Sequence, residues 1–149
     1  MKSLTLRRAT LEDLPTLVPL FDAYRQFYGQ PPDLATAAHF LQARLERGES
    51  VVLLAEVGGQ AVGFTQLYGS FSSVRVGRVW ILNDLYVSPA ARGRGAGAAL
   101  LEAAADFARQ DGALGLSLQT AHDNHTAQAL YERLGWVRDT DFYTYTLTF

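Results

Sequence analysis

Residues 92–97 read Arg-Gly-Arg-Gly-Ala-Gly, after an apolar, β-branched run and ahead of a segment with helical periodicity. Glycine at such a turn lets the backbone approach a ligand closely, and the first N–H groups of a helix are unpaired donors at the positive end of its dipole. Together they suit a phosphate or pyrophosphate, with Arg92 and Arg94 able to add charge. A plain Gly-rich helix cap is the blander alternative. A P-loop is excluded, because no Gly-Lys-Ser/Thr follows the glycines. Gly93-x-Gly95-x-x-Ala98 formally fits the dinucleotide fingerprint, which needs a tight turn straight out of a strand and an acid about 20 residues on. Here Ser88-Pro89-Ala90-Ala91-Arg92 intervenes, and Gln119 stands where the acid belongs.

Three other groups of side chains could do chemistry. Asn83 and Asp84 interrupt the apolar run 79–87, where either could handle a proton. On a regular strand neighbours face opposite ways, so Asp84 is expected to point away from Asn83 unless a bulge re-aims it. His122-Asp123-Asn124-His125 has a metal-pair spacing, but the chain holds no cysteine and no third ligand is evident. A polar loop capped by Asp123 or Asn124 explains it more simply, and no metal is expected. Tyr24, Phe27 and Tyr28 recur at helical spacing before Gly29-Gln30-Pro31-Pro32, which suits core packing or one wall of a substrate pocket. Asp33, Asp139 and Asp141 read as solvated surface.

These residues need elements to hold them. Leu4-Thr5-Leu6-Arg7 alternates like a short strand. Thr10-Leu11-Glu12-Asp13 and Pro15 read as a helix start, continued by Leu14, Leu17, Val18, Phe21 and Tyr24. A second helix is predicted over 34–46, with Ala37, Phe40, Leu41 and Leu45 on one face and Gly48 as its stop. Residues 51–57 are a strand, Gly58-Gly59 a two-residue hairpin and 61–68 the returning strand. A Ser-rich loop over 69–75 leads to a strand over 79–87. Residues 95–110 have the 3.6 period, with Leu100, Leu101, Ala104, Phe107 and Ala108 inward. A strand over 114–120, a helix over 126–134 ended by Gly135, and terminal strands at 136–137 and 142–149 complete the prediction. The hairpins imply antiparallel pairing, and the strand–helix–strand unit from 79 to 120 a parallel crossover. The expected fold is α/β (α+β): a central mixed, mostly antiparallel sheet flanked by helices on both faces, in a single domain over 1–149.

Arg92-x-x-Gly95-x-Gly97 fits the Arg/Gln-x-x-Gly-x-Gly/Ala loop that binds the pyrophosphate of coenzyme A. The block from Asn83-Asp84-Leu85-Tyr86-Val87-Ser88-Pro89 through this loop to Leu101 resembles motif A of the GNAT superfamily of N-acetyltransferases. Asn124-His125-Thr126-Ala127-Gln128-Ala129-Leu130-Tyr131-Glu132-Arg133-Leu134-Gly135-Trp136 resembles its motif B. The first strand with Ala9-Thr10-Leu11-Glu12-Asp13-Leu14-Pro15 matches a common GNAT opening, so the resemblance covers nearly the whole chain. Residues 83–87 and Tyr24-Arg25-Gln26-Phe27-Tyr28 are similar to the histone and polyamine acetyltransferase-like branch.

The resemblance implies the GNAT acyl-CoA N-acyltransferase fold, acetyl-CoA as cosubstrate, and direct transfer to a primary amine of a small molecule, peptide or protein. It implies that the backbone around Leu85, Tyr86 and Val87 pairs with the pantetheine amides. The N–H groups of Arg92, Gly93, Arg94, Gly95, Ala96, Gly97 and Ala98 would hold the pyrophosphate, and Asn124 would contact the pantetheine arm. Tyr131 matches the tyrosine that protonates the departing thiolate, a role in which a phenol within hydrogen-bond reach lowers the barrier. Relatives often carry Glu where this chain has Asn83, which leaves the proton acceptor open among a water held by Asn83, the Asp84 carboxylate and another group. A GNAT fold that holds acyl-CoA as a sensor or assembly module without turnover is the alternative. Many GNAT relatives dimerise, and the aromatic segment 142–149 reads as a sheet edge, so a homodimer is expected.

Composition narrows the rest. With 149 residues, 48% hydrophobic and 19% charged, the chain has globular composition, which excludes disorder and collagen-like repeats. The lack of cysteine excludes disulfides, thiol nucleophiles and iron–sulfur clusters. A formal net charge of −2 gives no electrostatic case for nucleic acid or anionic membrane as partners. No uncharged run approaches the roughly 20 residues of a membrane span. The opening Met1-Lys2-Ser3-Leu4-Thr5-Leu6-Arg7-Arg8 lacks the apolar region of a signal peptide, so a cytoplasmic location is expected.

Overall fold

Strands β1 (Leu4–Arg8), β2 (Ser50–Val57), β3 (Gln60–Ser72), β4 (Gly77–Val87) and β5 (Gly115–Ser117) form one sheet in sequential order. They come from a computed structural model that describes residues 3–149. Met1 and Lys2, part of the opening read above for a leader, lie outside the described residues. Pairing is antiparallel from β1 to β4, and β5 joins β4 in parallel. Both glycines of the β2–β3 turn have positive φ, Gly58 at 58° and Gly59 at 79°. A two-residue hairpin whose twist matches its strands requires that conformation. The chain divides into two compact units, Met1–Gln119 and Thr120–Phe149.

The first unit carries the sheet and α1 (Leu14–Phe27), α2 (Leu34–Glu46) and α3 (Ala96–Gln110). Asp13 accepts from the Thr10 N–H at 2.7 Å and is ion-paired to Arg7, which tethers the helix start to β1. Pro15 sits in the first turn of α1, where a missing N–H costs nothing. Leu17 and Phe21 of α1 and Ala37 and Leu41 of α2 are buried against Val52, Leu54 and Phe64. The opposite parity of the strands belongs to α3. Trp80 of β4 meets Phe107 edge-on at 5.2 Å, and its Nε1 donates to Asp111 just past the helix end. Helices therefore cover both faces of a mixed, mostly antiparallel sheet, as the hydrophobic periods predict.

The second unit holds α4 (His125–Arg133), whose Asn124 N-cap oxygen accepts from the Ala127 N–H at 3.3 Å. Gly135, at φ 95°, closes the helix where the sequence places its stop. Two expectations need correction. Residues 69–72, read as loop, continue β3, because the hairpin register carries on from Gly69↔Trp80 to Ser72↔Gly77. The terminal strands at 136–137 and 142–149 are not formed; these residues carry no regular structure. Alternation shows which faces a strand would present, but a strand exists only where a partner completes its hydrogen bonds. Among the described residues, no helix is long and apolar enough to cross a membrane.

Candidate active site

The register of β3 on β4 contains one irregularity, and it falls on the two residues singled out above. Gln66 pairs with Asp84 and the next residue, Leu67, pairs with Leu82, which leaves Asn83 without a cross-strand partner. That is a β-bulge, with one extra residue on β4. The bulge resets the alternation and gives Asp84 the parity of Gln66, Phe64 and Tyr86, on the face of α1 and α2. The expectation for a regular strand, with Asp84 turned away from Asn83, is thereby corrected.

Asp84 is 3% exposed. Its two carboxyl oxygens accept from Gln66 Nε2 at 2.5 Å and from Asn83 Nδ2 at 2.9 Å. Acceptance at both oxygens is the pattern a carboxylate satisfies. Thr65 Oγ1 donates to the Asp84 carbonyl at 2.8 Å and fixes the backbone. The side chain of Asn83 therefore orients Asp84. Tyr24 Oη donates to the Asn83 carbonyl at 3.4 Å. Burial, reinforced by the Asp84 charge, pushes the phenols of Tyr24 and Tyr68 well above the ordinary tyrosine range. Gln66 and Thr65 escaped sequence reading, because only cross-strand register makes them neighbours of Asp84. Their single visible trace was a polar pair, Thr65-Gln66, inside an otherwise apolar strand.

β5 covers only part of β4. Their pairing runs from Val79↔Gly115 to Ile81↔Ser117 and ends there, so among the described residues the edge of β4 over residues 82–87 has no strand partner on that side. Leu85, Tyr86 and Val87 lie on this open edge. A 3-10 turn over Pro89–Ala91 then leads into the glycine loop. Gly93 and Gly95 both have φ 80°, a left-handed conformation that side chains resist, and nothing lies within 4 Å of an added Cβ at either. Gly95 caps α3, and the first bond onto it comes from the Ala99 N–H to its carbonyl. The amides of Ala96, Gly97 and Ala98 thus precede the helical ladder and are available to an anion. Arg92 leans back on the strand that precedes the loop. Its Nε donates to the Val87 carbonyl at 3.0 Å, and its guanidinium lies over the rings of Phe27 and Tyr86. Arg94 is exposed.

Tyr24 is half-buried in an aromatic cluster with Phe21, Phe64 and Tyr86, so it is both core and site. Phe27 and Tyr28 are each 65% exposed, which leaves them free to form a wall. In the second unit, Tyr131 is half-buried on α4 beside Trp136, their ring centroids 6.2 Å apart. Asn124 uses its side-chain oxygen as the α4 cap.

Comparison with known proteins bears directly on this arrangement. Residues 16–136 match the Acetyltransferase (GNAT) family. The chain is 52% identical to an uncharacterized N-acetyltransferase of Bacillus subtilis over 97% of each protein. It is 32% identical to a D-amino-acid N-acetyltransferase of Saccharomyces cerevisiae, over 76% of this chain and 71% of that protein. A crystal structure of a probable acetyltransferase superposes with a TM-score of 0.93 at 43% identity, over 97% of each chain.

Proposed function

From the premise that this chain belongs to the GNAT family and is an N-acetyltransferase, we propose that it transfers the acetyl group of acetyl-CoA directly to a primary amine, with Asp84 as proton acceptor. The observation that carries this reading is the bulge in β4. One irregularity turns a carboxylate onto the α1 face of the same strand whose open edge runs into the glycine loop.

The residues fit acetyl-CoA. Two left-handed glycines with open space at Cβ and the unladdered amides of 96–98 suit a pyrophosphate, and the open edge of 82–87 suits the amides of a pantetheine chain. When bound, acetyl-CoA supplies an acetyl group activated as a thioester. The protein's own contribution is placement and proton handling. An amine near pKa ~10.4 is an ammonium at neutral pH and must lose a proton before it can attack. Asp84, held at both oxygens, is the base for that proton. By its place in the family motif, Tyr131 would be the proton donor to the departing thiolate, and Asn124 would hold the pantetheine arm. Tyr24, Phe27 and Tyr28 wall the acceptor. The yeast relative named for D-amino acids makes amino acids one arm of the acceptor search.

The test is incubation with acetyl-CoA and a panel of alkylamines, polyamines, amino acids, aminoglycosides and peptides, following free thiol. Amine-dependent thiol release is expected. Tight acetyl-CoA binding without release under any amine would support the sensor alternative. Tyr131→Phe keeps the ring and should lower single-turnover rates by roughly 10²–10⁴-fold. Wild-type rates would reduce Tyr131 to packing. We also propose one catalytic domain, supported by the family match across 16–136, working as a homodimer, supported by the alternating aromatic segment 142–149. Light scattering that reports a monomer at high micromolar concentration would remove the dimer.

A further inference from the structure

Asp84 has no direct route to an acceptor. It is 3% exposed, and Gln66 and Asn83 each take one lone-pair site, which leaves a second site on each oxygen for a further donor. Tyr24 spans the gap. Its ring is fixed by stacking on Phe21 at 6.1 Å and by edge contacts with Tyr28, Phe64 and Tyr86. The hydroxyl therefore sits over the bulge, bonded to the Asn83 carbonyl and facing the Asp84 carboxylate. At 3.4 Å the bond to Asn83 is long, and a hydroxyl hydrogen rotates freely, so the same group can donate to Asp84. Half-buried Tyr24 also touches the exposed ring of Tyr28, beside the exposed Phe27.

We propose that Tyr24 is a catalytic residue: it takes the proton of the acceptor amine and passes its own hydroxyl hydrogen to Asp84. The inference rests on the acetyltransferase reading above. An N–H bond of the ammonium breaks as an O–H bond forms at Tyr24 Oη. The original Tyr24 O–H bond breaks as one forms at an Asp84 carboxyl oxygen. The result is a neutral amine with a free electron pair, an unchanged tyrosine and a neutral Asp84. Burial and the Asp84 charge both disfavour the phenolate, so the two transfers are coupled. Among the described residues, no Lys, Arg or His forms an ion pair with Asp84, so the cation that complements this buried charge is the acceptor itself. The other titratable groups around the knot are Tyr28 of α1, Tyr68 of β3 and Tyr86 of β4, with Arg44 of α2 acting on Tyr68.

The experiment compares Tyr24→Phe with wild type on an alkylamine and on a weakly basic aromatic amine, between about pH 6 and 10. With the alkylamine at neutral pH, kcat/KM should fall roughly 10²–10⁴-fold. The loss should shrink as pH approaches the amine's own pKa, where solution supplies the free base. The aromatic amine, already neutral, should lose less than about tenfold. Equal losses for both amines at every pH would make Tyr24 a packing residue and overturn the relay. So would wild-type rates, or the same pH-dependent loss in Tyr68→Phe with none in Tyr24→Phe. A wild-type enzyme that acetylates no amine would overturn the acetyltransferase reading, and the relay with it.

Discussion

The glycine loop and the Asp84 knot are close in sequence on either side of the end of β4, yet they are built on opposite principles. The loop works through backbone: the amides of residues 96–98 precede the helical ladder, Gly93 and Gly95 are left-handed, and of its two arginines Arg92 is turned back onto Val87 and two rings while Arg94 is exposed. The knot works through side chains: a buried carboxylate that accepts from Gln66 on β3 and Asn83 beside it, with Tyr24 of α1 bonded to the Asn83 carbonyl. A backbone site binds whatever charge and shape fit it. A side-chain knot holds one proton path in one geometry, and so governs turnover more than affinity.

That contrast can be broken most easily at Asp84. Asp84→Asn should lower kcat/KM by roughly 10²–10⁴-fold while calorimetric affinity for acetyl-CoA stays near wild type. An equal loss of affinity would show that the two regions are one site. Gly95→Val attacks the other side. A β-branched side chain at φ 80° strains the cap and crowds the amides, so one or two charge-assisted hydrogen bonds are lost. The KM for acetyl-CoA should rise roughly 10–100-fold with kcat largely retained. A change in kcat alone would contradict the division of labour.

Arg92→Met sharpens the comparison within the loop. Because the guanidinium is engaged with Val87 and the Phe27 and Tyr86 rings, the KM for acetyl-CoA should rise only about two- to fivefold. A loss as large as that of Gly95→Val would return Arg92 to phosphate binding. The smallest effect is on stability at high pH. Tyr24 and Tyr68 have folded pKa values raised above the unfolded value near 10, so the folded state holds more protons there. Their contribution is complete below about pH 10 and is lost as pH rises through the folded values. Denaturant titrations should show stability falling above about pH 10, with a shallower fall in the Tyr24→Phe, Tyr68→Phe double variant. An unchanged slope would separate the phenols from the knot.

The sequence determined what is local. The helix over 34–46 matches α2 to the residue, because Asp33 caps it and Gly48 ends its pattern. The loop 92–98 was legible as a glycine turn that opens a helix, since strand, glycines and helix start lie in order along the chain. Gly135 marked the end of α4 for the same reason. Tertiary structure alone decided the rest. Nothing in Asn83-Asp84 tells which face the carboxylate takes; that depends on a bulge, and a bulge is a mismatch between two strands. Gln66 became a neighbour of Asp84 through register, and Tyr24 came to the bulge through the packing of α1 on Phe64. Residues 142–149 make the same point in reverse. Their alternation is that of a strand, but a strand is a property of two chains segments hydrogen-bonded together, and the pattern of one cannot supply the other.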